Sequence, residues 1–344
     1  MNRMLWKPWQ WKRVFWKALS FGFGLFVLSV SQADEGGVSF WVPGFFGSLA
    51  AVPLQPGFSL TTTYYHTTIE AGSNIAFARQ VTAARIKSVF TGNLNQKLNA
   101  NADFIFATPG YTLTQSFLGG QATIMMAVPY GRSEARVNST LAGNFGLGHG
   151  GIVLGNSRRD QISGIGDFAP MFNLRWNAGV HNYMTYLLGN INLGVYNPNN
   201  LTNLGLNHKA VDTGGGYTYY DKKTGREFSS VLGFTYNFPN KSTQYQNGVV
   251  THLDLGASQF LTPKVQMGMV GYAYQQLSCD KGEGDKVGCF KSRIFGAGPQ
   301  IGYIIKGSNH QAYFNLKGYK EFYAEHRAQG WNAWLTLSIS PTPR

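Results

Sequence analysis

Charge is scarce in this chain. Asp, Glu, Lys and Arg make up 13% of its 344 residues, against about 25% in soluble domains. Long apolar runs are missing too. The longest, Ala18 to Val30, falls short of the roughly 18 residues that mark a spanning helix. Mean hydropathy is −0.17, whereas a helical membrane protein of this length is strongly positive. Two cysteines, Cys279 and Cys289, are too few for a disulfide scaffold. The seven histidines show no H-x-x-x-H spacing for a metal. No Gly-rich loop opens a helix to cradle phosphate, because Gly214-Gly215-Gly216 sits among strand residues. Neither a cofactor nor a metal is expected.

What the chain has is alternation. From Gln311 to Tyr323, the residues Gln311, Tyr313, Asn315, Lys317, Tyr319, Glu321 and Tyr323 share one face. Ala312, Phe314, Leu316 and Phe322 share the other. Period two defines a strand with one apolar side. The pattern recurs after residue 57, and no amphipathic helix follows to cover the apolar side. Aromatics reach 15% and glycines number 43. A sheet of this kind can close on itself in lipid with its apolar face outward. The expected fold is all-β, a transmembrane antiparallel up-and-down β-barrel over 58–340. The alternation reads as strands near 58–69, 76–89, 92–107, 117–129, 136–147, 166–177, 182–196, 210–220, 228–238, 248–261, 264–277, 291–306, 310–323 and 330–340. That is about fourteen, or twelve if a weak pair is loop, since bacterial barrels have even counts.

Residues 1–33 read as a signal peptide. Arg3, Lys7, Lys12, Arg13 and Lys17 precede the apolar run, and Ser31-Gln32-Ala33 offers a small-residue cleavage site. Without those five basic residues, 24 Lys and Arg oppose 16 Asp and Glu, a net charge of +8 in place of +13. No basic cluster or helix carries this excess, so nucleic acid is not an expected partner. Residues 34–57 hold too many Gly and Pro for a strand, yet include Phe40, Trp41, Phe45, Phe46 and Leu49. Such a segment either plugs the lumen or forms a periplasmic tail or a helix on the rim. Short links such as Thr262-Pro263 and Gly307-Ser308-Asn309 alternate with long ones at 148–165, 197–209, 239–247 and 278–290. Short periplasmic turns and long external loops are usual in these barrels. The cysteine loop is then external, where a Cys279–Cys289 disulfide is permitted; the alternative is two free thiols.

Alternation also assigns faces. Lys97 and Asp103 are placed inward on 92–107, with Leu98, Ala100, Phe104 and Phe106 toward lipid. Asp167, Asn173 and Arg175 point inward on 166–177, Met184 and Tyr186 on 182–196, and His252, Asp254 and Ser258 on 248–261. Tyr313, Lys317, Tyr319, Glu321 and Tyr323 complete the lining. A lipid-facing Lys or Arg near the midplane costs about 2–4 kcal/mol. The mixed signs suit either a structural ladder of ion pairs or a lining that guides the polar group of an apolar solute. Tyr130, Trp176, Tyr196, Tyr236, Tyr303, Trp331 and Trp334 lie near strand ends and read as an interfacial girdle. His252, Asp254 and Ser258 share a face, but same-face neighbours lie about 6.6–6.8 Å apart, too far for a relayed triad. No enzyme is expected.

Several phrases are more specific. They include Gly214-Gly215-Gly216-Tyr217-Thr218-Tyr219, Thr243-Gln244-Tyr245-Gln246-Asn247-Gly248, Gly271-Tyr272-Ala273-Tyr274-Gln275-Gln276 and Gly330-Trp331-Asn332-Ala333-Trp334-Leu335. To these is added Pro43-Gly44-Phe45-Phe46-Gly47-Ser48-Leu49-Ala50-Ala51-Val52-Pro53. In combination the chain resembles the outer-membrane family named for the MetA pathway of phenol degradation. The resemblance implies an outer-membrane transporter associated with breakdown of aromatic compounds. It also implies a distant kinship with the long-chain fatty-acid channel, whose N-terminus plugs a fourteen-stranded barrel. No binding residues carry over. The expectation is a bacterial outer-membrane channel for passive uptake of small hydrophobic compounds, aromatic ones foremost. A general porin is the alternative, and a lipid-modifying enzyme a more distant one. Its partners are outer-membrane lipids and lipopolysaccharide, the solutes themselves, and the barrel-assembly machinery during biogenesis.

Overall fold

The structure, a computed structural model, describes residues 39–72, 93–143, 152–285, 289 and 291–342. The export segment and the strand expected over 76–89 lie outside them. Thirteen strands follow one another: β1 (Gly57–Ala71), β2 (Asn93–Phe117), β3 (Gly120–Gly143), β4 (Ile152–Ile165), β5 (Ala169–Ala178), β6 (His181–Gly189) and β7 (Ala210–Asp221). They continue with β8 (Arg226–Asn237), β9 (Val250–Phe260), β10 (Val265–Gln276), β11 (Arg293–Lys306), β12 (His310–Glu325) and β13 (Gln329–Pro341). All pairings are antiparallel. β1 bonds to both β2 and β13, so the sheet closes on itself. The ring has twelve strands, the lower of the two expected counts, and β4 lies outside it.

Several expected boundaries move, and β2 runs on to Phe117, ten residues past its expected end. The segments at 117–129 and 136–147 are one strand, β3, running without interruption through Pro129. The link expected at 148–165 carries β4, which pairs with the outer half of β3 while β5 pairs with the inner half. The chain steps from β4 to β5 through Gly166–Phe168, and β6 stops at Gly189. Residues 190–209 take the place of its outer half. At about 3.3 Å per residue, 24 residues of β3 span roughly 80 Å, well beyond the 9–11 residues that cross a membrane. Strands β2 to β4 therefore rise far past the bilayer. Both β1 and β13 reach the end that carries the short turns. Leu60 pairs with Ile339 there, and the long links stand at the other end.

Among the long links, Cys279 and Cys289 are joined by a disulfide. Beside them Asp280 accepts hydrogen bonds from the Tyr245 hydroxyl (2.5 Å), the Gly248 amide (2.8 Å) and the Gln276 amide (2.7 Å). Burial pushes its carboxyl above the ordinary range, and the three bonds pull the other way.

The outward face is apolar over most of the ring: Leu60, Ile124, Leu187, Leu232, Phe234, Met269, Ile301 and Leu335 are all exposed. β2 departs from the expected faces. Leu98 is buried (1% exposed), and Ala100, Phe104 and Phe106 line the interior. Lys97 is exposed and pairs with Glu70 at 3.2 Å. Asp103 also points outward, where it accepts hydrogen bonds from the Tyr64 hydroxyl (2.6 Å) and bonds His66 (2.7 Å). The assignment fails because it presumes a wet lumen, whereas the lumen beside β1, β2 and β3 is apolar. Two aromatic placements change as well. Trp334 is buried inside the barrel and takes no part in a girdle. Tyr323 is 79% exposed, displaced from the inner face at a position of φ +51°. A register shift between Arg293 and Phe295 lies on the neighbouring strand.

Truncation tests this inverted register. Leu98→Ala is expected to cost about 2–5 kcal/mol, as a buried leucine does. Lys97→Ala removes only an exposed ion pair and should cost about 1 kcal/mol or less. Equal losses in thermal or denaturant unfolding would return Lys97 to the interior.

Candidate functional site

Residues 39–53 run through the barrel. Trp41, Phe46 and Ala51 are buried, while Phe40, Phe45 and Leu49 are partly buried. The segment has no regular structure of its own, so its backbone groups need partners from the wall. The wall supplies them in order. Asp254 accepts from the Gly44 amide at 3.0 Å, Glu227 from the Leu49 amide at 2.9 Å, and the Thr218 hydroxyl from the Ala51 amide at 3.0 Å. Lys317 Nζ donates to three consecutive carbonyls, Gly44 (2.6 Å), Phe45 (3.2 Å) and Phe46 (3.0 Å). Arg175 Nε donates to the Ala50 carbonyl at 3.2 Å, and Gln300 to the Ser48 hydroxyl at 2.6 Å. Hydrogen bonds to charged groups contribute about 1.5–3 kcal/mol each.

Glycine makes two of these contacts possible. Gly44 has φ +85°, and a side chain there would meet the Tyr319 ring at 2.9 Å. A side chain on Gly256 would meet the Ser48 amide nitrogen at 2.7 Å, so only glycine lets the plug lie this close to β9.

Behind the plug sits a polar network. The Trp41 ring stacks on His252, 3.5 Å between centroids at an interplanar angle of 9°. His252 bonds Asp212 at 3.0 Å, and the Tyr186 hydroxyl donates to the other Asp212 oxygen at 2.6 Å. Glu227 also accepts from Ser229 (2.5 Å) and Ser258 (2.6 Å). Tyr313 donates to Gln266 at 2.7 Å. Glu321 accepts from Tyr272 and from the Gly330 amide, both at 2.7 Å. Tyr319 packs on Tyr272 with 4.9 Å between centroids. These wall groups come from strands β6 to β13, and each is committed to the plug or to its neighbours.

The opposite half of the lumen is different. Between the plug and strands β1, β2, β3 and β5 lies a cavity of about 510 Å³. Phe104, Phe106, Met125, Met171, Leu188 and Trp334 give it an apolar wall. Along β1 its lining runs from Thr61 to Ile69. Eight steps at about 3.3 Å each make roughly 26 Å along the strand, or about 20 Å of depth at the usual barrel tilt. Asp167 borders it at the β4–β5 step, where its oxygens are taken up by the Gly194 amide (2.8 Å), the Leu206 amide (2.8 Å) and Asn190 (3.1 Å). It thereby fixes the 190–209 link against the barrel.

Of the lumen residues expected from alternation, the structure brings Asp167, Arg175, Tyr186, His252, Asp254, Tyr313, Lys317, Tyr319 and Glu321 to the interior. It places Lys97 and Asp103 outside. Alternation missed Asp212 and Glu227, although each sits at an inward position of its strand. It also missed Arg327, which belongs to a link between strands and has no face to read. His252 and Asp254 do not form a relay. They bond Asp212 and the Gly44 amide respectively, and Ser258 bonds Glu227. Among the described residues there is no cluster of metal ligands.

Residues 83–337 match the family described as "Putative MetA-pathway of phenol degradation", and the chain belongs to that family. It is an outer-membrane β-barrel. Among solved structures it is similar to an outer membrane channel from Pseudomonas putida F1, at 14% identity and a TM-score of 0.57. That alignment covers 88% of this chain and all of the other. A FadL homologue from Pseudomonas aeruginosa aligns at 9% identity and a TM-score of 0.43, over 91% of this chain and 99% of that one. The CymD monoaromatic hydrocarbon channel aligns at 7% and 0.35, over 92% and 98%. No curated protein matches in sequence.

Replacing Lys317 tests the plug's seat. Lys317→Met leaves three plug carbonyls without their donor and should cost about 3–5 kcal/mol, the scale for removing one partner of a buried charge contact. The heat-induced gel shift of the folded barrel should fall in temperature, and Lys317→Arg should recover part of the loss. An unchanged transition in Lys317→Met would show that the ammonium does not hold the plug.

Proposed function

We propose that this barrel is a channel for passive uptake of small hydrophobic solutes, aromatic ones foremost, across the outer membrane. The observation that carries this reading is the apolar cavity beside the plug, extended along β1 from Thr61 to Ile69. Aromatic and thioether side chains suit apolar rings of varied shape. The plug fills the polar half of the lumen, which argues against a general aqueous porin. Membership in a family associated with phenol degradation and the likeness to an outer membrane channel agree with the reading. No energy source is needed: flow follows the gradient that an intracellular consuming pathway maintains. The bonds of His252, Asp254 and Ser258 to Asp212, the Gly44 amide and Glu227 support a transport role over a catalytic one.

Deletion of Phe40 to Val52 tests it. The shortened protein should pass ions in planar bilayers and lose its selectivity for aromatic compounds in whole-cell uptake. Identical conductance, liposome swelling and uptake with and without the segment would sink the proposal.

A further inference from the structure

The carboxylates bordering the cavity are spent and its guanidinium groups are not. Asp167 uses its oxygens on two amides and Asn190, and Glu321 accepts from Tyr272 and Gly330. Lys317 gives its protons to the plug carbonyls. Arg175 is 7% exposed, borders the cavity, and makes its bond to the plug through Nε alone. Its Nη1 is buried without a partner, and so is the Oδ1 of Asn173, a fully buried residue one inward position away on β5. No Asp or Glu among the described residues pairs with Arg175. A buried guanidinium that holds one neutral carbonyl is poorly compensated for the water it has lost.

Position adds to this. Arg175 lies near the periplasmic end of β5, level with Gln121 just after the β2–β3 turn. Arg327 lies in the β12–β13 link at the external end. It also borders the cavity, stacks over the Tyr274 ring at 4.3 Å, and has a buried Nη1 without a partner. One apolar cavity thus has a guanidinium with an unpartnered Nη1 at each end.

We propose that the cavity takes aromatic carboxylates, with the ring against the apolar wall and the carboxylate on Arg175, and with Arg327 as the first cationic contact on the external side. A guanidinium offers parallel N–H groups matched to the two oxygens of a carboxylate. The Asn173 carboxamide can turn its NH₂ toward the same group. The external arginine raises the local concentration of anions, and the inner one holds the anion at the periplasmic exit. This rests on the reading that the cavity passes aromatic solutes, and it narrows that class to those carrying one planar anionic group.

The test uses two water-soluble probes of nearly equal shape, benzoate and benzamide. Binding of each to the full-length protein in maltoside micelles is measured by isothermal titration calorimetry. Benzoate should bind about tenfold more tightly than benzamide, as a charge-assisted bond predicts. Arg175→Gln should weaken benzoate by about tenfold and leave benzamide within about twofold, with Arg175→Lys intermediate. Should Arg175→Gln fail to assemble, the wild-type ratio still decides. Equal binding of both probes to the wild type, or equal weakening of both in the variant, overturns the anion site and leaves the aromatic cavity standing. Binding of neither probe overturns both.

Discussion

An irregular peptide inside a barrel must have its backbone hydrogen bonds met by the wall, because lipid surrounds the barrel and regular structure is absent from the plug. The arrangement of the lumen follows from that requirement. Lys317 holds three carbonyls, Asp254 and Glu227 hold two amides, and Thr218 and Arg175 hold the exit of the segment. These partners stand on five different strands, so the plug ties together strands far apart in sequence. Its rings complete the attachment: Trp41 lies flat on His252, which Asp212 fixes in turn.

The same requirement divides the lumen. Strands β7 to β9 spend inward positions on Asp212, Thr218, Glu227, His252 and Asp254, and there the plug seats. Strands β1, β2, β3 and β5 carry mostly apolar or hydroxyl side chains inward, and there the cavity stays open. Separating the two tasks lets one half of the wall grip the peptide while the other half remains available to a solute. Arg175 stands where the halves meet. It touches the plug through Nε and is itself part of the cavity lining.

Much of this was legible in the sequence. Alternation located β5 and β7 to β13 within a few residues but ran β6 seven residues too far, and parity with link lengths set the orientation. The Gly/Pro-rich aromatic segment at 34–57 stood apart from the strands on composition alone. Alternation failed where its premise failed. β2 presents Leu98, Phe104 and Phe106 to an apolar interior, so the rule that charge faces inward reversed at Lys97 and Asp103. β4 was hidden because it rises above the membrane, where neither face meets lipid and no apolar stripe is needed. Asp212 and Glu227 sat on inward positions, but nothing in a single strand announces which inward carboxylate will meet a backbone amide some 170 to 180 residues away in the chain, as Glu227 meets Leu49.

The most direct measurement is the proximity of plug and wall in the assembled protein. Ser48 and Gln300 are hydrogen-bonded partners, 2.6 Å between Oγ and Nε2. In S48C/Q300C, a short bifunctional thiol reagent applied to intact outer membranes should join the two positions in nearly every folded molecule, and neither single variant should react this way. If the double variant assembles into a folded barrel and no cross-link forms, the segment does not occupy the lumen, and the division of the wall described above is wrong.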